Sequence, residues 1–181
     1  IDDINDMLNK HDYAGARNIA EKYASEPKNQ KKPDALFFKG FTYKFSFKDD
    51  LLTDEEKLRI AGESMSAFQM YVSADPKQPR LKLEGYASFR DLYFDFYDFG
   101  IRQFNNKNYE MAYQCFKKAL EVKDYILEKK YEYTEVKFSK LDTNLIVNTG
   151  MAASQAKHEE EAVAYFRQLT DANVSAKEVS A

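Results

Sequence analysis

The stretch YFDFYDFGIRQFNNKNYEMAYQCFKKALEV, residues 93–122, decides the fold. Its first half, up to Phe104, carries apolar and aromatic residues around most of a helical circumference, which predicts a helix covered on more than one side. A polar break at 105–108 follows. From Tyr109 onward, apolar residues recur at steps of three and four, as on an amphipathic helix. The stretch therefore predicts two antiparallel helices joined by a short turn.

Small and large residues keep a fixed order inside this hairpin. Gly100 is followed twelve residues later by Ala112, and Phe116 lies four residues beyond that. This spacing resembles the tetratricopeptide repeat (TPR), in which small residues stand where two helices cross and a large residue fills the gap to the neighbouring hairpin. Phe96 and Phe99 depart from the family's usual Trp and Leu, but both sites remain large.

The same spacing recurs near the end of the chain, where Ala162 follows Gly150 by twelve residues and Phe166 follows by four more. Two matches of one geometry are harder to obtain by chance than one, so the recurrence favours a repeat protein. A third version of this spacing begins at Gly40. Its second small residue is Ser64, and the connection from Gly40 to Ser64 is twelve residues longer than in the other two versions.

The resemblance implies an all-α fold, a right-handed superhelix of antiparallel helical hairpins with about eight helices. We expect one domain over 1–181, with hairpins at about 1–26, 33–75, 79–138 and 142–172, as a fragment of a longer protein. Pro79 is predicted to begin one long helix that ends at Asn105, with Gly85 as a kink or a repeat boundary. The helix after Asn108 is expected to continue towards Phe138, because Gly150 is the next Gly or Pro.

Composition excludes several classes of function. The 27 basic and 30 acidic residues are interspersed, so no broad field favours nucleic acid. No apolar run approaches the roughly 18 to 20 residues needed to cross a bilayer, which argues against membrane insertion. The single cysteine, Cys115, is predicted to be buried beside Phe116. The chain begins at Ile1, which fits a soluble fragment, cytoplasmic or exported after removal of a leader; the compartment is undetermined.

Residues capable of chemistry are few. His11 and His158 have no second histidine or cysteine at ligand spacing, so no metal site is predicted. Asp91, Asp95 and Asp98 share one helical face, and catalysis by them would require desolvation in a cleft. A solvated stripe is the favoured interpretation, which predicts no catalytic residue and no cofactor; an enzyme or an enzyme accessory domain using these three carboxylates is the alternative.

In TPR proteins the first helices of successive hairpins line a concave groove that holds a peptide or a partner helix. The resemblance therefore implies a protein or peptide partner, no nucleic acid, and a groove that lies one helical turn either side of the small glycine sites. The groove residues so implied are Phe37, Phe41, Lys44, Phe94, Tyr97, Ile101, Phe104, Asn144, Val147, Asn148, Met151 and Gln155. Two further alternatives stay open: a structural segment that packs within a larger chain, and a homo-oligomer that covers the same surface.

Overall fold

Nine α-helices follow one another in the computed structural model, which describes residues 2–172. The helices are α1 Asp2–Asn9, α2 Tyr13–Ser25, α3 Pro33–Tyr43, α4 Asp54–Ala74, α5 Pro79–Leu83, α6 Ala87–Asn105, α7 Tyr109–Lys129, α8 Thr143–Gln155 and α9 Glu159–Asp171, with a 3-10 helix at Lys44–Lys48. The predicted all-α fold of helical hairpins is confirmed, with one helix more than the approximate number expected. The chain divides into two compact units, Ile1–Leu92 and Tyr93–Ala181, and the single-domain organisation stays a prediction.

Unit 1 is built from sequential packing of its helices, with α2 against α1 and α3, and α3 against α4. Helix α4 begins with a capping box, in which Thr53 Oγ1 accepts from the Glu56 amide at 3.3 Å and the Glu56 carboxylate accepts from the Thr53 amide at 2.8 Å. This arrangement satisfies two amide groups that the first helical turn leaves without partners. In unit 2, α8 packs against both α7 and α9.

One glycine–phenylalanine contact recurs in three hairpins. A Cβ atom added at Gly40, Gly100 or Gly150 would lie 2.8, 2.7 or 2.8 Å from the ring of Phe68, Phe116 or Phe166, respectively. Real Cβ atoms do not approach this closely, so only glycine permits the two helices of each hairpin to cross at this distance. The second small residue of each hairpin is also buried; these residues are Ser64, Ala112 and Ala162. The Ser64 hydroxyl donates a hydrogen bond to the Gly40 carbonyl oxygen at 2.7 Å.

The turns inside three hairpins share one hydrogen-bonding pattern. His11, Lys107 and Lys157 adopt left-handed backbone angles, with φ of 59°, 64° and 66°. In each case the amide of the next residue donates to a carbonyl five residues back, at distances of 2.9, 2.9 and 2.8 Å. This is the Schellman motif, which satisfies carbonyls at a helix C-terminus.

Two helices predicted from the sequence differ from those in the structure: one is divided into two, and the other ends earlier. The prediction of one helix from Pro79 to Asn105 is wrong, because Gly85 and Tyr86 both take positive φ, 59° and 58°, and separate α5 from α6. The extension of α7 towards Phe138 is also wrong, because Lys130 adopts a φ of 57° and ends the helix at Lys129. Residues 131–142 form an irregular segment instead.

Candidate binding surfaces

In unit 2, helix α8 and the part of α6 that begins at Tyr93 carry the predicted groove residues of that unit. The Asn148 Nδ2 group donates to the Tyr97 hydroxyl at 2.9 Å, which joins the two helices. Phe94 is 39% exposed and Met151 is 44% exposed. We call the following set the α6–α8 surface: Phe94, Tyr97, Ile101, Phe104, Asn144, Val147, Asn148, Met151 and Gln155. All nine side chains are at least partly exposed.

Tyr97 is the best anchored aromatic residue of the α6–α8 surface. Its ring stacks on Tyr93 with centroids 6.4 Å apart and lies 5.9 Å from the ring of Phe116. Burial, followed by the nearby Asp142 carboxylate, raises the pKa of the Tyr97 phenol above its usual value. The hydroxyl is therefore protonated at neutral pH, and the surface presents a neutral aromatic group held in one orientation.

The irregular segment 131–142 forms a cavity of about 350 Å³ at one end of the α6–α8 surface. The Tyr93 hydroxyl donates to Asp142 at 2.6 Å, and the ring of Phe138 stands edge-on to Tyr93 at 4.9 Å. The buried Lys123 ammonium donates to the Lys140 carbonyl at 2.9 Å and ties the segment to α7. Phe94 and Asn144 also line the cavity, so it is continuous with the predicted groove.

Sequence reasoning missed this cavity because it placed the segment in a helix. A signal was available: Tyr131 and Tyr133 alternate with polar residues, and so do Val136 and Phe138. Alternation of this kind is typical of extended backbone, not of a helix.

The groove residues predicted in unit 1 are less accessible. Phe37 and Lys44 are buried, whereas Phe41 is half-buried. The Lys44 ammonium is 3.1 Å from Asp91 and lies over the Phe41 ring at 5.0 Å from its centroid. Phe37 and Phe41 nevertheless line a smaller cavity of about 180 Å³, together with Ile4, Asn5, Phe38, Arg80, Leu83 and Glu84.

Asp91 and His158, two of the groups considered for catalysis and metal binding, have local partners. Asp91 pairs with Lys44 and with Arg90, each at 3.1 Å. His158 Nε2 lies 2.7 Å from a Glu110 oxygen. Within residues 2–172, no group of three or more His, Cys, Asp or Glu side chains is placed to hold a metal ion. Cys115 is buried, as predicted.

The hairpins, with their recurring glycine–phenylalanine contact, define a helical-repeat protein. A family model described as tetratricopeptide repeat matches residues 103–124, which cover the turn and most of α7. The predicted resemblance to this family is thereby confirmed, and the repeat indicates a protein-interaction scaffold. No curated protein and no solved structure gives a significant match to the chain. Across residues 2–172, none of the helices combines the length and the apolar character that crossing a membrane requires.

Proposed function

We propose that this chain is a non-catalytic scaffold that binds a segment of a partner protein on the α6–α8 surface. The observation that carries the proposal is a set of part-exposed apolar and aromatic side chains shared by two neighbouring helices. Large exposed side chains grouped in this way are typical of binding surfaces. The amides of Asn144 and Asn148 lie among them and supply polar groups suited to a peptide backbone.

The proposal predicts that truncation of exposed groove side chains weakens peptide binding without unfolding the protein. Peptides are selected from a random library displayed on phage, and the affinity of an enriched peptide is measured by calorimetry. We expect Phe94→Ala and Met151→Ala each to raise its Kd by about tenfold, the scale of an anchor residue at an interface. The melting temperature should change little, because both side chains are more than a third exposed.

Val163 provides the matched control. It lies on α9, the other helix of the last hairpin, and is 47% exposed, close to the exposure of Met151. Val163→Ala should leave the peptide affinity unchanged. Equal losses for Val163→Ala and Met151→Ala would contradict the proposed surface. Failure to select any peptide, with light scattering that shows self-association, would favour the homo-oligomer instead.

A further inference from the structure

The 180 Å³ cavity of unit 1 has the size of one side chain. Its lining comes from α1, α3 and the segment around α5, and the rings of Phe37, Phe38 and Phe41 supply much of its wall. Pockets for drug-sized ligands typically measure about 300–1,000 Å³, so this cavity suits a single side chain better than a cofactor. Leu83, at its edge, is 90% exposed. The cavity is therefore open to an incoming chain and has apolar walls.

The charged side chains around this cavity form ion pairs with residues of opposite charge, with the exception of Glu84. Arg80 donates to both oxygens of Asp34, each at 2.6 Å, which neutralises the guanidinium. Lys44 is paired with Asp91, which also pairs with Arg90.

The Glu84 carboxylate accepts hydrogen bonds from Ser88, from its hydroxyl at 2.9 Å and its amide at 3.3 Å. It forms no ion pair with another residue in the described part of the chain. Burial raises the pKa of Glu84 despite the opposing effects of Ser88 and the more distant Lys44, so its negative charge is incompletely compensated.

The aromatic wall is already a surface on which cationic side chains lie. The Arg80 guanidinium lies 4.7 Å from the centroid of Phe38 and 5.6 Å from that of Phe37. Attraction between a cation and the face of an aromatic ring is strengthened where water is excluded. An incoming side chain with a positive charge at the end of an apolar stem would place the stem against the ring carbons and the charge beside the Glu84 carboxylate.

We propose that this cavity binds the side chain of a lysine in a partner protein, with the methylene stem against Phe37 and Phe41 and the ammonium on Glu84. Lysine fits better than arginine because its compact ammonium on a slender stem reaches a recessed single carboxylate, whereas the planar guanidinium favours wider, bidentate sites. This inference rests on the proposed function in one respect: both assume that the chain binds a partner protein, and here one side chain of that partner is named. The cavity itself belongs to unit 1 and not to the α6–α8 surface.

Two small probes test this proposal directly. Nα-acetyl-lysine methylamide carries the proposed side chain, and Nα-acetyl-norleucine methylamide is its uncharged counterpart. Each is titrated into the full chain, and its Kd is obtained from amide chemical shifts of the residues that line the cavity. We expect the lysine probe to bind about tenfold more tightly, since a hydrogen-bonded ion pair in a partly buried site gives a preference of this order.

Glu84→Gln should abolish the preference for lysine, because glutamine has nearly the size of Glu84 and keeps one acceptor oxygen for Ser88 but lacks the charge. Glu55→Gln removes the same charge from an exposed position on α4 and should leave the preference intact. Equal affinity of the two probes for the unmodified chain, or no binding of either, would overturn the proposal. A preference that survives Glu84→Gln, or disappears in Glu55→Gln, would also overturn it. The phage-selected peptide and Met151→Ala report on unit 2 separately, so the two proposals can fail independently.

Discussion

Replacing Phe116 by alanine is expected to lower the free energy of unfolding by about 3–5 kcal/mol, the range for a large buried aromatic residue cut back to alanine. Phe116 is fully buried, and its ring contacts both Gly100 and Tyr97. The glycine has no side chain that could move into the space, so the cavity would persist. Urea denaturation followed by circular dichroism measures the change.

Phe166 provides an internal comparison for this prediction. It occupies the same position in the following hairpin and contacts Gly150 in the same way, but its side chain is 37% exposed. Phe166→Ala removes the same atoms with less loss of buried area, so we expect a loss of about 1–2 kcal/mol. Similar losses for the two variants, or a loss below about 1 kcal/mol for Phe116→Ala, would contradict the packing described here.

Alanine substitutions at three glycines should have effects of different sign. Gly62 lies inside α4, and nothing lies within 4 Å of a Cβ added there. Gly62→Ala should stabilise the protein by about 0.5–1 kcal/mol, because alanine has the higher helix propensity. At Gly100 the added Cβ would meet three atoms of the Phe116 ring at 2.7 to 3.1 Å. Overpacking should outweigh the gain in propensity, for a net loss of about 1–2 kcal/mol.

Gly150→Ala tests whether the ring of Phe166 can move aside to make room for an added methyl group. Its added Cβ meets the Phe166 ring at 2.8 Å, but a part-exposed ring has room to rotate outward. We therefore expect an effect between those of Gly62→Ala and Gly100→Ala. The three variants are compared by thermal unfolding under one set of conditions. If Gly100→Ala were as stabilising as Gly62→Ala, the close crossing of α6 and α7 would be disproved.

The parts of the fold that could be predicted are those encoded by local chemistry. The spacing of Gly100 and Ala112 predicted a helical hairpin with small residues at the crossing, and both residues are buried. The ring that meets Gly100, however, belongs to Phe116, which was expected to fill the gap to the neighbouring hairpin. The helix start after Thr53 can likewise be predicted from the residues Thr53 to Glu56, since its capping box is complete within four residues. Both predictions depend on groups that are close along the chain.

The parts that could not be predicted depend on the surroundings. Gly85 gave a signal for a break, but the positive φ of Tyr86 beside it has no sequence signature. The resemblance placed Lys44 in an open groove because it lies one helical turn from Gly40, whereas pairing with Asp91, 47 residues away, permits its burial. Segment 131–142 lacks Gly and Pro, and the lysine that fixes it lies on α7. The contribution of each α6–α8 side chain to binding remains a prediction.

The three matching turns also offer positions at which the thermal stability of this scaffold can be raised. His11, Lys107 and Lys157 each hold a backbone geometry that glycine adopts with less steric cost, and each lies outside the α6–α8 surface. Glycine at these joints would recover a few tenths to about 1 kcal/mol apiece after its greater freedom in the unfolded chain is subtracted. Because the three turns are separate in sequence and share no partners, their gains should add, and the scaffold could be made more stable without changing any residue of the α6–α8 surface.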